Sequence, residues 1–412
     1  MRASTARRAA AVTCLSLALA SCGRGDTGAT AEGCDPGVTD TEVKIGGSLP
    51  MSGAGAAYGV LAGAADAAFK KANADGGVRM ADGKQRQITY KYLDDAYDPA
   101  RTVGNIKTLV ESEGVFATFQ LLGTSPNLAV ADYLGAKEVP QLFVNTGTDL
   151  ILERHEENPW IFAFLPQYGF EAQVVADHVK AQRPKGKVGI LYQNDGFGKN
   201  MLANFKKQFE GSDVTIVSEQ PYEQTGASVD SQVVNLQASG ADVFVNYATG
   251  TFATQAIRKA HQLGWKPLHM LTNGTNHVES ILKPAGADAA TGITTMLLLK
   301  DPNDPEYAST PEVKEYRAVL AEHGPGLNPA DAIVISGFLQ GQMLVEALEN
   351  SGCTRRELLD ATYNLTDVEA GMLLPGITVN TKPDYPYLFT QAKLAVFDGT
   401  RYVPQDELME VE

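Results

Sequence analysis

With 412 residues, 44% of them hydrophobic and 20% charged, the chain is long enough for two domains of ordinary size, each with its own core. Its formal net charge of -15 argues against nucleic acid and against an anionic membrane face as partners, because an acidic surface repels both.

The chain opens on Arg2, Arg7 and Arg8, followed by an apolar run from Ala9 to Ala20. That run is about half of the roughly 20 residues needed to span a bilayer, so it reads as a signal peptide rather than an anchor. It ends in Leu19-Ala20-Ser21-Cys22, with small residues suited to a peptidase pocket and a thiol where a lipid would be attached. Residues 1-21 are therefore expected to be a lipoprotein signal peptide, with Cys22 acylated. An ordinary secretory cut at a nearby Ala or Ser is the alternative. Losing the three arginines would leave the remaining chain still more acidic. Residues 22-41, which include the small, polar stretch Gly23 to Gly33, read as a flexible tether. No second apolar run reaches membrane-spanning length, so attachment is expected through the lipid only, at the outer face of the cytoplasmic membrane. A single acyl chain binds marginally, so more than one would be needed.

Cys14 falls in the leader and Cys22 carries the lipid, which leaves Cys34 and Cys353. Outside the cytoplasm these two are most simply a disulfide. It would tie the start of the folded region to a helix beginning near Thr354 and add about 2 to 4 kcal/mol.

Short apolar runs then alternate with stretches of helical spacing. VKIGGSL, a helix from about Gly59 to Asn73, ITYKYLD, a helix from Pro99 to Glu113, VFATFQLL, a helix from Pro126 to Gly135 and QLFVNT form one βα series. Trp160 to Phe164 looks like a crossing strand. KVGILY, a helix from Gly198 to Phe209, VTIVSEQPY, a helix from Val229 to Ala238, ADVFVNYA, a helix from Phe252 to Leu263 and PLHMLT form a second series. GITTMLLL, helices near Pro311 to His323 and Pro329 to Asn350, and strands TVNT and FTQAKLAVFDG follow without a third βα unit. The fold class predicted is α/β: two doubly wound parallel-sheet lobes, with the late elements returning to complete both. The boundaries expected are 42-162 plus 298-368 for the first lobe and 163-297 plus 369-412 for the second.

In such sheets ligands sit outside the carboxyl ends of the strands. The loops there are Pro50 to Gly55, Leu122 to Pro126, Asn145 to Thr148, Gln193 to Gly198 and Thr272 to Asn276, all rich in small residues, hydroxyls and amides. Backbone N-H groups at the helix starts can hold an anionic group such as a carboxylate. Taken one at a time, each loop is equally well explained as turn and cap chemistry.

The run GGSLPMSGAGAAYG, then NADGGV, YLDDAYDP and KVGILYQNDGFGKN, resembles the leucine/isoleucine/valine-binding family of type I periplasmic binding proteins, the solute-binding components of ABC importers. The likeness extends over roughly Val43 to Phe397 and rests on order and context rather than on one motif. It implies two lobes joined by three crossing segments, with an amino acid held in the cleft. Matching positions are Thr124 or Ser125, then Thr146, Gly147 and Thr148, for the ligand's carboxylate and amino groups, with the aromatic Tyr58 on the wall. From the second lobe come Phe197 and Thr249, with Tyr247 as an alternative to the latter. Where the family has an acid for the ligand ammonium, this chain has Asn273. An amide cannot neutralise a cation, so a carboxylic acid, an amide or an aromatic acid is as suitable a ligand as an amino acid, and Asp195 is a candidate source of charge. The resemblance also implies an ABC permease and its ATPase subunits as partners.

No constellation for catalysis is present. His155, His178, His261, His269, His277 and His323 show no metal-ligand spacing, G-x-S-x-G is missing, and DGFGKN lacks the spacing of a phosphate-binding loop. Neither enzyme activity nor a cofactor or metal is expected. The alternative function is a ligand sensor acting through a separate partner; against it, no transmembrane helix or signalling domain follows VFDGTRYVP.

Overall fold

The computed structural model describes residues 30-368 and 370-411. The leader, Cys22 and most of the tether lie outside the described residues.

The first sheet contains β1 (Glu42-Leu49), β2 (Val78-Arg79), β3 (Gln85-Asp94), β4 (Ala117-Phe119), β5 (Gln141-Val144) and β6 (Ile161-Ala163) in the spatial order β2-β3-β1-β4-β5-β6. Only the short β2 runs antiparallel. The second sheet contains β7 (Lys187-Gln193), β8 (Thr215-Tyr222), β9 (Val243-Tyr247), β10 (Leu268-Leu271), β11 (Thr294-Leu297), β12 (Gln391-Phe397) and β13 (Tyr402-Glu410) in the order β13-β12-β11-β10-β9-β7-β8. Its last two strands form an antiparallel edge on an otherwise parallel sheet.

The central strands are buried on both faces, which requires helices on both sides and explains their continuous apolar runs. The helices Val60-Ala74 and Ala332-Glu349 cover the first sheet and pack closely because small residues face each other. A Cβ on Gly337 would lie 2.4 Å from the Leu61 carbonyl oxygen, and one on Gly341 would lie 2.9 Å from Ala65 O and from Ala68 Cβ. Cys34 and Cys353 form a disulfide with Cα atoms 4.9 Å apart. It sits beside the helix Arg355-Thr362, whose start carries a reciprocal Thr354-Glu357 capping box.

Several sequence expectations shift. Trp160 to Phe164 is not simply a crossing strand, since β6 is the edge of the first sheet and the crossing follows it at Phe164. The helix expected from Pro126 starts at Thr124, and the one expected from Pro99 to Glu113 loosens into a wider turn over Thr108-Ser112. TVNT is not a strand; only Val379 bridges Val368. The third crossing falls near residue 390 rather than at 369. Met372, Leu373, Leu374, Val379 and Leu388 pack into the core of the first lobe, and Tyr387 bridges Ala163. Residues 370-388 are apolar enough to be held there without sheet pairing. The chain thus passes between lobes three times, after β6, after β11 and before β12.

Candidate functional site

The cleft is built at the carboxyl ends of the parallel strands. After β1 the turn Gly53-Gly59 presents Tyr58, and after β4 the chain turns at Gly123, with φ of 95°. A side chain is excluded there, since a Cβ would lie 2.5 Å from the Tyr97 ring. β5 leads to Asn145-Thr148, β9 to Thr249 and β10 to Asn273. After β7, Asp195 caps the helix Gly196-Gln208 by accepting from Phe197 N and Gly198 N.

The lobes are closed on each other. The Tyr97 hydroxyl donates to Asp195 Oδ2 at 3.0 Å, Gln193 Nε2 donates to Tyr97 Oη at 3.2 Å, and Gly196 N donates to Ser125 Oγ at 3.2 Å. The Tyr58 hydroxyl donates to the Gly274 carbonyl at 3.2 Å and accepts from Gly250 N at 3.4 Å. Between the lobes lies a cavity that, with its mouth, contains about 1430 Å³ of atom-free space.

Tyr58, Phe197, Thr249 and Asn273 all line this cavity, together with Gly123, Asn145 and Tyr168. Four of the sequence candidates therefore converge, one of them, Asn273, lying more than 200 residues from Tyr58. The expected first-lobe hydroxyls do not reach the wall. Thr124 and Thr146 are fully buried and their hydroxyls are 2.7 Å apart, and Thr146 Oγ1 is 3.2 Å from the Tyr168 hydroxyl. They hold Tyr168, and Tyr168 faces the cavity. Ser125 takes part in closure through Gly196. Thr148 Oγ1 is buried without a hydrogen-bond partner among the described residues and is not on the wall. Gly147 lies behind the wall, where its carbonyl accepts from Tyr168 N at 2.7 Å.

Tyr247 lies apart from the cavity wall. It ends β9 with its ring in the second-lobe core, 6.0 Å from the Phe205 ring, and does not line the cavity. Thr249, just outside the strand, does. Thr249 Oγ1 donates to Gln193 Oε1 at 2.7 Å, which also accepts from the Tyr222 hydroxyl at 2.9 Å. Asp195 does not line the cavity, and both its carboxylate oxygens are taken up by hydrogen bonds within the protein.

Sequence reasoning missed three features of the site. Tyr97, quoted only as part of YLDDAYDP, is both wall and latch. Glu171 is 3% exposed and accepts from Asn273 N at 2.9 Å; burial pushes its carboxyl up to about 7, partly opposed by that bond and by the Thr272 hydroxyl. His277, read as an ordinary polar residue, lines the cavity with Nδ1 unpartnered among the described residues; burial lowers it to about 4, so it is neutral at physiological pH.

Residues 42-397 match the periplasmic binding protein family. A curated relative named Leu/Ile/Val-binding protein homolog 3, from Brucella melitensis, is 24% identical over 317 residues, covering 76% of this chain and 80% of its own. A branched-chain amino acid ABC transporter protein from Thermus thermophilus, solved with valine, superposes with a TM-score of 0.80 at 17% identity, covering 90% of this chain and 97% of that one. A fatty acid ABC transporter substrate-binding protein from Thermomonospora curvata superposes with a TM-score of 0.75 at 22% identity, covering 93% and 97%. At these identities the solved structures share the fold.

Proposed function

The chain belongs to the periplasmic binding protein family, solute binders rather than enzymes, and from that premise we propose that it is the extracytoplasmic solute-binding component of an ABC importer. It takes a small carboxylate- or amide-bearing solute into the cleft, closes over it and delivers it to a permease whose ATPase subunits are separate chains. The observation that carries this reading is the interlobe cavity on which Tyr58, Phe197, Thr249 and Asn273 converge from four strand ends.

The chemistry of the wall favours an acid over an α-amino acid. Asn273 stands where an ammonium partner would be, and one N-H of its amide donates to the Met296 carbonyl at 3.1 Å. A carboxylate needs only N-H and O-H donors in a dry site, with helix starts at Thr124 and Gly250 nearby. Of the proteins of similar fold named above, one is described with the amino acid valine and one with fatty acid, and a carboxylate is common to both ligands. Closure is driven by contacts that only the closed, loaded state makes.

Thermal-shift screening against amino acids, amides and aromatic or short-chain carboxylic acids tests this, because a bound solute raises Tm by mass action. A stabilising member of that set is expected, and silence across the whole set would refute the reading. We also propose acylation at Cys22, with the tether keeping the binder near its permease. Cys22→Ser should move the protein from the membrane to the soluble fraction.

A further inference from the structure

The cavity does not end at the strand ends where family ligands are expected. It continues to the place where the three crossing segments meet, lined there by Phe164 from the first, Leu298 and Leu299 from the second, and Leu374 and Phe389 from the third. The Phe164 and Phe389 rings form an edge-to-face pair with centroids 5.2 Å apart. Ile333 and Ile335, in the first turn of the helix Ala332-Glu349, close another side.

The charged residues bordering this arm give a charged ligand group little to bind. Lys300 Nζ donates to Glu312 Oε1 at 3.0 Å and to the Gly371 carbonyl at 2.7 Å, and Asp304 is paired with Arg401. The remaining acid there, Asp301, accepts from Asn303 N and would repel a carboxylate. A carboxylate therefore belongs at the other end, near Gly123 and the helix starts at Thr124 and Gly250, since the Tyr58 and Thr249 hydroxyls already donate within the protein. A compact solute held there would leave the arm empty. A void lined mainly by Leu, Ile and Phe, with Tyr307, Ser336 and Tyr402 as its other uncharged polar side chains, is poorly solvated by water, which needs two to four polar partners, and leaving it unfilled forfeits contacts.

We propose that the solute is a carboxylic acid carrying an unbranched hydrocarbon chain, with the carboxylate in the cleft and the chain running into the apolar arm behind the hinge. This rests on the solute-binding reading above and specifies its ligand. Because the arm is formed by the crossing segments themselves, a chain seated in it contacts both lobes and the hinge. Chain length is thereby coupled to closure.

The test is titration calorimetry on the Cys22→Ser chain with butanoate, hexanoate, octanoate and decanoate, each below its micellar concentration, and with valine and benzoate as comparators. Affinity should rise about three- to fourfold per methylene from butanoate to octanoate. Ala332→Phe narrows the arm at a half-buried wall position and should move the optimum to shorter chains by two or more carbons. Valine or benzoate binding with no gain along the alkanoate series would overturn the chain assignment while leaving the solute-binding reading intact. No binding by any of the six would overturn the chain assignment, while the solute-binding reading is decided by the wider thermal-shift screen. A folded Ala332→Phe protein with an unchanged chain-length profile would place the chain elsewhere and also overturn the proposal.

Discussion

Tyr97 and Asp195 are joined across the cleft by a hydrogen bond of 3.0 Å, from the hydroxyl of a first-lobe loop to the carboxylate that caps a second-lobe helix. Because Asp195 is already fixed by Phe197 N and Gly198 N, the latch closes onto a preorganised acceptor. Hydrogen bonds to charged groups contribute about 1.5 to 3 kcal/mol. Tyr97→Phe keeps the ring against Gly123 and removes only the latch. It should weaken solute binding by about tenfold and enlarge the radius of gyration of the free protein in small-angle scattering. An unchanged affinity would mean that closure does not depend on this pair.

Glu171 gives the fold a pH dependence of opposite sign to that of an ordinary paired carboxylate. Its folded value of about 7 lies above the ordinary 4.5, so the folded state holds the proton more tightly than the unfolded chain. That contribution is fully present below about 4.5 and is lost as pH rises through about 7, up to about 3 kcal/mol in all. Glu171→Gln retains an acceptor for Asn273 N without a charge to bury. Its melting profile should be flatter than the wild type's between pH 5 and pH 8, and a wild-type slope retained in the variant would exclude Glu171 as the source.

The βα rhythm was legible because buried parallel strands are continuous apolar runs, and the lobe-to-lobe returns followed from elements left over at the end. The helix Tyr168-Gln182 was not legible. Tyr168, Phe170, Glu171, Ala172, Val174 and Val175 are all buried, so it lacks the one-sided apolar stripe that marks a surface helix. Tyr247 and Thr249 could not be separated by sequence because the choice depends on where β9 ends. The hinge-side arm left no local signal at all, since Phe164, Leu298 and Phe389 come together only through three separate crossings.

The disulfide joins positions 319 residues apart and ties Cys34 to the loop before the helix Arg355-Thr362. Asp35 reinforces the same junction, donating its N-H to the Cys353 carbonyl at 3.1 Å and accepting from Arg355 N at 2.7 Å. Cys353→Ser should lower unfolding stability by about 2 to 4 kcal/mol, with little change in solute affinity because neither cysteine lines the cavity. Equal denaturant midpoints for variant and wild type under oxidising conditions would show that the bond adds no stability.

Asn273 is the position at which an acid would suit an α-amino acid ligand, yet its surroundings oppose one. Asn273 Nδ2 donates to the Met296 carbonyl, and its backbone N-H is held by the Glu171 carboxyl. Asn273→Asp would lose the donor, set a carboxylate against a carbonyl oxygen and place a second acid beside Glu171. The expected cost is about 1 to 3 kcal/mol at pH 7.5, smaller at pH 5 where the added acid can take up a proton. Valine affinity, measured by calorimetry, should not rise, because an ammonium site needs the carboxylate free to face the ligand. A tenfold gain for valine would instead show that the amide alone had been excluding amino acids, and would shift the solute assignment back toward them.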